Sequence, residues 1–433
     1  MNDGGYFMEK LLIKGGHPIS GTLVPSGNKN AALPLLAACL LTEEPVTLRN
    51  MPDIGDIHTM AEILSEIGVG VTQLSPHAWR IHAQNVRTNE LSPALFSRIR
   101  GSITLAGPML ARTGSVHMPP PGGDVIGRRR VDTHFLALSA LGAKVESDLS
   151  FRLKCDQLEG ADILLDEASV TGTENAIMAS VLAKGTTVIH HAACEPHVQD
   201  LCQMLCQFGA QIEGIGSNAL TIQGVDQLSG GAFNVGPDYM EVGSYIALAA
   251  VTGGELLIKA AAPQHLRMIG LIFERLGVTF EIQDDDVFVP KDQPLTITAD
   301  MGGAIPTVKD APWPAFPADL MSIAIVVASQ AEGTVLIHEK MFESRLYFVD
   351  QLIAMGARII LCDPHRCVVQ GPSPLHGEEV SSPDIRAGMA LLIAALCADG
   401  ESLIRNIRQI DRGYESIDKK LASLGAQVER ICA

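Results

Sequence analysis

Aromatic residues are scarce in this chain, 4% of 433. Its cores must therefore be built from Ala, Val, Leu and Ile rather than from large rings. A basic surplus is also missing. The formal net charge is −17, which argues against general nucleic-acid binding. No apolar run approaches the ~20 residues needed to span a bilayer. The opening Met-Asn-Asp-Gly-Gly-Tyr-Phe lacks the basic and apolar regions of a signal peptide, so the expectation is a cytoplasmic protein without a membrane partner. The nine cysteines follow no regular framework, and most sit among apolar neighbours, where Cys behaves as a small hydrophobe. Cys362-Asp363-Pro364-His365-Arg366-Cys367 has no second Cys/His pair near it and reads as a loop between strands rather than a metal site. His190, His191 and His197, with Cys194 between them, follow a strand-like run and read as surface residues. A hydrophobic fraction of 47% with 19% charge describes a globular chain, long enough for two or three domains.

The strongest pattern present is a repeat. A helical run, a Gly-centred turn and a strand recur six times, at Gly68, Gly142, Gly209, Gly277, Gly356 and Gly425. Glycine stands where a helix must stop, because without a Cβ it enters the left-handed cap conformation at little cost. The glycines are 67 to 79 residues apart, too long a period for a solenoid motif and suited to a small α/β unit. Each unit also carries an earlier Ala-rich helix, as at 31–41, 242–251 and 387–398, apolar on nearly every face. A helix of that kind is buried, so helices should lie inside and sheets outside. One core does not usually grow to this length, and the six units divide three and three into two domains.

The buried helices begin with polar residues: Lys29-Asn30, Arg98 with Arg100, Glu174-Asn175, Glu241, Asp319, and Asp384 with Arg386. A helix start offers free N–H groups and partial positive charge, an anion site. Lys and Arg placed there oppose the dipole, so helix stability does not explain them. Arg129, Arg345 and Arg412 precede three of the turn glycines by 11 to 13 residues, and equivalent positions converge when repeats pack about one axis. Arg binds carboxylate and phosphate in two-pronged fashion. Among these cations sits Asp319, after Trp313-Pro314-Ala315-Phe316-Pro317-Ala318, a candidate base that could equally cap its helix. The segment Met118-Pro119-Pro120-Pro121-Gly122-Gly123-Asp124-Val125-Ile126-Gly127 reads as a lid with proline stiffening and glycine hinges, carrying Asp124.

At these residues the chain resembles the enolpyruvyl transferases, over essentially its full length. The specific pieces are Ser26-Gly27-Asn28-Lys29-Asn30-Ala31-Ala32-Leu33-Pro34, Pro121-Gly122-Gly123 through Arg129, Ser169-Val170, Phe316-Pro317-Ala318-Asp319, Asp384-Ile385-Arg386-Ala387, and Ile410-Asp411-Arg412-Gly413-Tyr414-Glu415. The resemblance implies a two-domain inside-out α/β barrel of six repeated units. One domain would comprise 1–28 and 238–433, and the other 29–237 with the loop 118–127. It implies transfer of the enolpyruvyl group of phosphoenolpyruvate to the 3-hydroxyl of UDP-N-acetylglucosamine, the first committed step of peptidoglycan precursor synthesis. By the same resemblance Lys29, Arg129 and Arg412 hold the phosphate and carboxylate of phosphoenolpyruvate. Asn30 and Asp319 position the sugar hydroxyl, with Asp319 as proton acceptor. Arg100, Ser169 and Val170 face the nucleotide, and Asp132 the uracil. Arg345, Asp384 and Arg386 close the domain or serve the phosphoenolpyruvate side, and no metal or organic cofactor is implied.

The chain departs from the family in places. Asp124 stands where most members have a cysteine, the nucleophile alkylated by fosfomycin. Arg130 replaces a proline, Thr171-Gly172 replace Gly-Ala, and Glu167 replaces a lysine found in some members. These changes put acceptor identity, more than reaction type, in question. The rival readings are a 5-enolpyruvylshikimate-3-phosphate synthase, a paralogue acting on another nucleotide or sugar, and a catalytically silent protein that binds UDP-sugars. The oligomeric state stays open.

Overall fold

The structure is a computed structural model and describes residues 9–123, 127 and 129–432. The chain forms two compact units, one of 9–26 and 237–432, the other of 27–123 and 129–236. Gly127 groups with the first unit, where the sequence reading gives the whole loop 118–127 to the second.

One strand pattern repeats throughout. In the first unit Gly21–Leu23 runs parallel to Leu256–Ile258, which pairs antiparallel with Asp286–Val289, and that in turn with Glu281–Gln283. Thr307–Lys309, Gly333–His338, Arg366–Gly371 and Arg358–Asp363 repeat the pattern. So do Glu379–Ser381, Glu401–Arg405, Glu9–Lys14 and Gln427–Cys432. The second unit has two more such sheets, the first of Gly231–Asn234, Val46–Arg49, Ala78–His82 and Gly70–Ser75. The other is Asp162–Leu164, Thr186–His190, Ala219–Gln223 and Gln211–Glu213. The sixth sheet has three strands, Ser115–Met118, Phe151–Lys154 and Lys144–Ser147. Its fourth place shrinks to a single parallel bridge between Glu90 and His117. The six sheets stay separate, and none closes into a barrel among the described residues.

The six turn glycines all take the left-handed conformation, with φ between 77° and 105°. The Ala-rich helices are buried as expected. In Tyr239–Thr252 the first twelve residues are all buried, and in Ile385–Cys397 all but the last. Strands alternate instead, as in Gly333–His338, where Val335 and Ile337 face the core. Helices therefore line the inside of each unit and sheets cover it. Burial on this scale gives about 1.5–3 kcal/mol for each large aliphatic side chain, so Leu248→Ala should cost about 2–5 kcal/mol. Side-chain caps begin four of the buried helices, from Asn28, Ser169, Asp238 and Asp384. They leave the helix-start residues in fixed positions.

All nine cysteines are free thiols. The described residues hold no cluster of His, Cys, Asp and Glu able to bind a metal. Among them no helix is long and apolar enough to cross a membrane.

Candidate active site

In the first unit the buried ends of three elements meet at Asp319. Its Oδ1 accepts from Arg345 Nη2 at 2.6 Å and its Oδ2 from Arg386 Nε at 3.0 Å. The two guanidinium side chains are 9% and 6% exposed, the carboxylate 24%. Burial alone would raise the Asp319 pKa. The charges of Arg386 and Arg345 and their hydrogen bonds outweigh it and hold the carboxyl well below the usual range. The two partners of a carboxylate explain why Asp319 does not cap its helix. It lies in a 3₁₀ turn, Ala318–Leu320, and makes no capping bond. The capping half of the sequence reading is therefore wrong here.

Asp384 does cap. Its Oδ1 accepts the Arg386 and Ala387 amides at 2.8 and 3.0 Å, which fixes the first turn that aims Arg386. The Arg386 guanidinium stands 5.4 Å from the Tyr414 ring centre, and the Tyr414 hydroxyl meets Ser244 Oγ at 2.9 Å. Arg412 ends the short helix Arg408–Asp411, and its Nη1 donates to Gln409 Oε1 at 2.9 Å.

The second unit gathers a different set. Asn28 Oδ1 accepts the Asn30 and Ala31 amides and so presents Lys29 and Asn30 at the start of the helix Lys29–Ala38. Lys29 Nζ pairs with Asp56 Oδ2 at 2.7 Å, both side chains under 10% exposed. Arg100 Nη2 donates to the carbonyls of Arg129 and Arg130, each at 2.9 Å, bringing Arg100 and Arg129 together. Burial and the Arg129 charge push Arg100 down to about 10. Arg130 turns outward to Asp132 at 2.8 Å and Asp166 at 3.3 Å. Asp132 is thus an exposed surface acid, in ion contact with Arg130.

Ser169 caps the helix Val170–Ser180, its Oγ accepting from Gly172 N at 3.3 Å. Beneath that start lies a buried polar network. Asn175 donates to His134 Nδ1 at 2.8 Å and to Ile103 O at 2.9 Å. Its Oδ1 accepts from Gly107 N at 2.6 Å. With Nδ1 accepting, the other nitrogen must carry the proton, so His134 Nε2 donates to Thr171 Oγ1 at 3.1 Å. Burial and the Arg100 charge push His134 down to about 3, so it is neutral. Gly107 is required at this crossing, since a Cβ there would lie 2.4 Å from the Asn175 carbonyl. Asp124 lies outside the described residues.

The sequence-derived residues therefore fall into two groups. Asp319, Arg345, Asp384, Arg386 and Arg412 belong to the first unit; Lys29, Asn30, Arg100, Arg129, Asp132, Ser169 and Val170 belong to the second. Asp56, His134 and Tyr414 escaped the sequence reading. Asp56 had a signal, an acid in the first turn of Gly55–Glu66, but an acid there is ordinarily a dipole partner.

Residues 13–421 match the sequence model of the EPSP synthase (3-phosphoshikimate 1-carboxyvinyltransferase) family. The UDP-N-acetylglucosamine 1-carboxyvinyltransferase of Treponema denticola is 54% identical, over 98% of this chain and 99% of the relative. That of Bradyrhizobium diazoefficiens is 55% identical, over 98% of each. Among solved structures, the enolpyruvyl transferase NikO from Streptomyces tendae superposes with a TM-score of 0.87 at 25% identity, over 99% of this chain and 100% of that one. The family match alone spans several acceptors, and the identity level narrows it: the chain belongs to the EPSP synthase (3-phosphoshikimate 1-carboxyvinyltransferase) family, among its UDP-N-acetylglucosamine 1-carboxyvinyltransferase members.

Proposed function

We propose that this chain transfers the enolpyruvyl group of phosphoenolpyruvate to the 3-hydroxyl of UDP-N-acetylglucosamine and releases phosphate, in the cytoplasm, for peptidoglycan precursor synthesis. The observation that carries the reading is identity of 54–55% across nearly the whole length to enzymes named for that transfer. The half-buried Asp319 between two arginines supports it.

The reaction begins when Asp124, the acid at the family's loop-cysteine position, gives a proton to the CH2 carbon of phosphoenolpyruvate, which leaves positive character at C2. The sugar oxygen bonds to C2 while Asp319 takes the hydroxyl proton. The tetrahedral ketal then breaks its C2–O bond to phosphate, and loss of a methyl proton restores the double bond. Lys29, Arg129 and Arg412 neutralise the phosphate and carboxylate, Asn30 orients the hydroxyl, and Arg100, Ser169, Val170 and Asp132 serve the nucleotide. In the free protein Asp319 is a weak base because Arg345 and Arg386 hold it ionised. Substrate anions that compete for those arginines raise its pKa, so base strength grows when substrate arrives.

Phosphate release measured with phosphoenolpyruvate and a panel of acceptors tests the reading. Release with UDP-N-acetylglucosamine is expected, and release only with shikimate 3-phosphate or another nucleotide sugar would overturn it. Asp124 replaces the loop thiol, and a carboxylate is a far poorer nucleophile toward an epoxide. Fosfomycin should therefore give little time-dependent inactivation, and Asp124→Cys should restore covalent labelling, read by mass spectrometry.

A further inference from the structure

Two buried acids next to the Asp319 cluster have no part in the chemistry above. Asp310 follows the strand Thr307–Lys309 and Glu339 follows its parallel neighbour Gly333–His338. Both are fully buried. Together they take three consecutive amides. Asp310 Oδ1 accepts Lys340 N at 2.5 Å and its Oδ2 accepts Met341 N at 3.2 Å. Glu339 Oε1 accepts Met341 N at 3.2 Å and Phe342 N at 3.1 Å. Those amides open the turn that leads to Arg345. The Arg345 guanidinium lies 4.8 Å from the Phe342 ring centre and donates to Asp319. A continuous line of contact thus runs from the acid pair through residues 340–342 and the Phe342 ring to Arg345 and the base.

The remaining oxygen of the pair, Glu339 Oε2, is buried and meets no N–H or O–H donor among the described residues. The Glu339 carboxyl is within hydrogen-bonding reach of Asp310. Two carboxylates this close cannot both ionise in a buried place. Both Asp310 oxygens already accept amides, so the proton belongs on Glu339 Oε2, which then donates to Asp310.

We propose that Glu339 and Asp310 share one proton and act as a positioning pair, setting the turn 340–342 and through it Arg345 against Asp319. The catalytic part of this rests on the reading of Asp319 as the base. Burial and Asp310 push Glu339 up to about 9, in keeping with a protonated side chain at neutral pH. The pair touches no substrate and works only through the backbone it holds. Gln is the natural stand-in for a protonated Glu, with one acceptor for the amides and one N–H donor for Asp310.

The experiment compares the intact protein with Glu339→Gln and Glu339→Ala by two readouts. Hydrogen exchange of amides 340–342 is followed without substrate. Turnover is followed with phosphoenolpyruvate and UDP-N-acetylglucosamine, separating kcat from KM. Glu339→Gln should keep the amides protected and kcat close to the parent. Glu339→Ala should expose them and lower kcat by on the order of tenfold to a hundredfold, since small displacements of a catalytic group cost that much. Damage in the Gln variant equal to that in Ala overturns the shared proton. Exposed amides with an unchanged kcat in Ala overturn the positioning role. A parent protein that releases no phosphate sinks the proposed function, while the exchange data still decide the acid pair. Should Glu339→Ala fail to fold, the Gln variant decides alone: amides 340–342 left unprotected overturn the pair, and protected amides with normal turnover support it.

Discussion

The two units use arginine in opposite ways. In the first, Arg345 and Arg386 spend their charge on the carboxylate of Asp319. In the second, Arg100 spends its hydrogen bonds on two neutral carbonyls, of Arg129 and Arg130. A buried charge matched by a carboxylate is nearly balanced where it lies. A half-buried charge that meets only dipoles among the described residues, with a second arginine beside it, retains its attraction for an anion. Burial therefore lowers the Arg100 pKa to about 10, while Asp319 at Arg345, and Tyr414 with Asp319 at Arg386, hold both above their ordinary value against the same burial. The difference teaches that the first unit holds a carboxylate between two guanidinium groups, whereas the second holds a guanidinium on neutral carbonyls.

Removing the balanced acid should have the largest effect. Asp319→Ala should lower kcat by on the order of 10³-fold while leaving UDP-N-acetylglucosamine binding within about tenfold. Turnover by stopped-flow and affinity by calorimetry separate the two quantities. Near-normal kcat would mean that the first unit's carboxylate is structural, and the contrast between the units would lose its catalytic meaning. Arg100→Ala should act in the reverse sense, on binding more than on chemistry. Loss of a charged donor from a half-buried site costs about 1.5–3 kcal/mol, so nucleotide-sugar affinity should fall roughly ten- to a hundredfold. An unchanged affinity in that variant would show that Arg100 only holds the backbone of residues 129 and 130.

Much of this contrast was legible beforehand. Buried helices read from their Ala-rich, all-round apolar faces, and the six turn glycines fixed the repeat. The cationic residues at helix starts stood out because they oppose the dipole, as with Lys29 and Arg100. What stayed hidden were pairings between residues distant in sequence. Asp56 is an ordinary first-turn acid until Lys29 is seen against it. Asp310 and Glu339 each follow a strand, and only the parallel register of Thr307–Lys309 with Gly333–His338 brings them together. His134 gave no periodic signal, because its partners Thr171 and Asn175 lie on another helix. Asp319 was read as a cap as well as a base, since the sequence could not show that two arginines already occupy both oxygens.

The smallest effect expected, counted per pH unit, is in pH-dependent stability, and it carries opposite signs in the two units. His134, in the second, is held neutral. The unfolded chain protonates it near 6.5 and the native chain only near 3, so native stability is lost as pH falls through that window. Glu339, in the first, is held neutral the other way round. The native chain keeps its proton up to about 9 and the unfolded chain releases it near 4.5, so native stability is lost as pH rises between those values. Each group adds a slope of at most about 1.4 kcal/mol per pH unit. The two tryptophans of the chain, Trp79 in the second unit and Trp313 in the first, let each unit be followed by fluorescence once the other Trp is replaced by Phe. In urea unfolding, His134→Gln should flatten the acid limb seen by Trp79. Glu339→Gln should flatten the alkaline limb seen by Trp313, and each should leave the other reporter unchanged. An alkaline limb at Trp313 that is identical with and without Glu339 would mean that its carboxyl is ionised in the native state. The acid pair would then hold residues 340–342 without a shared proton, and the opposition between the two units would end at their arginines.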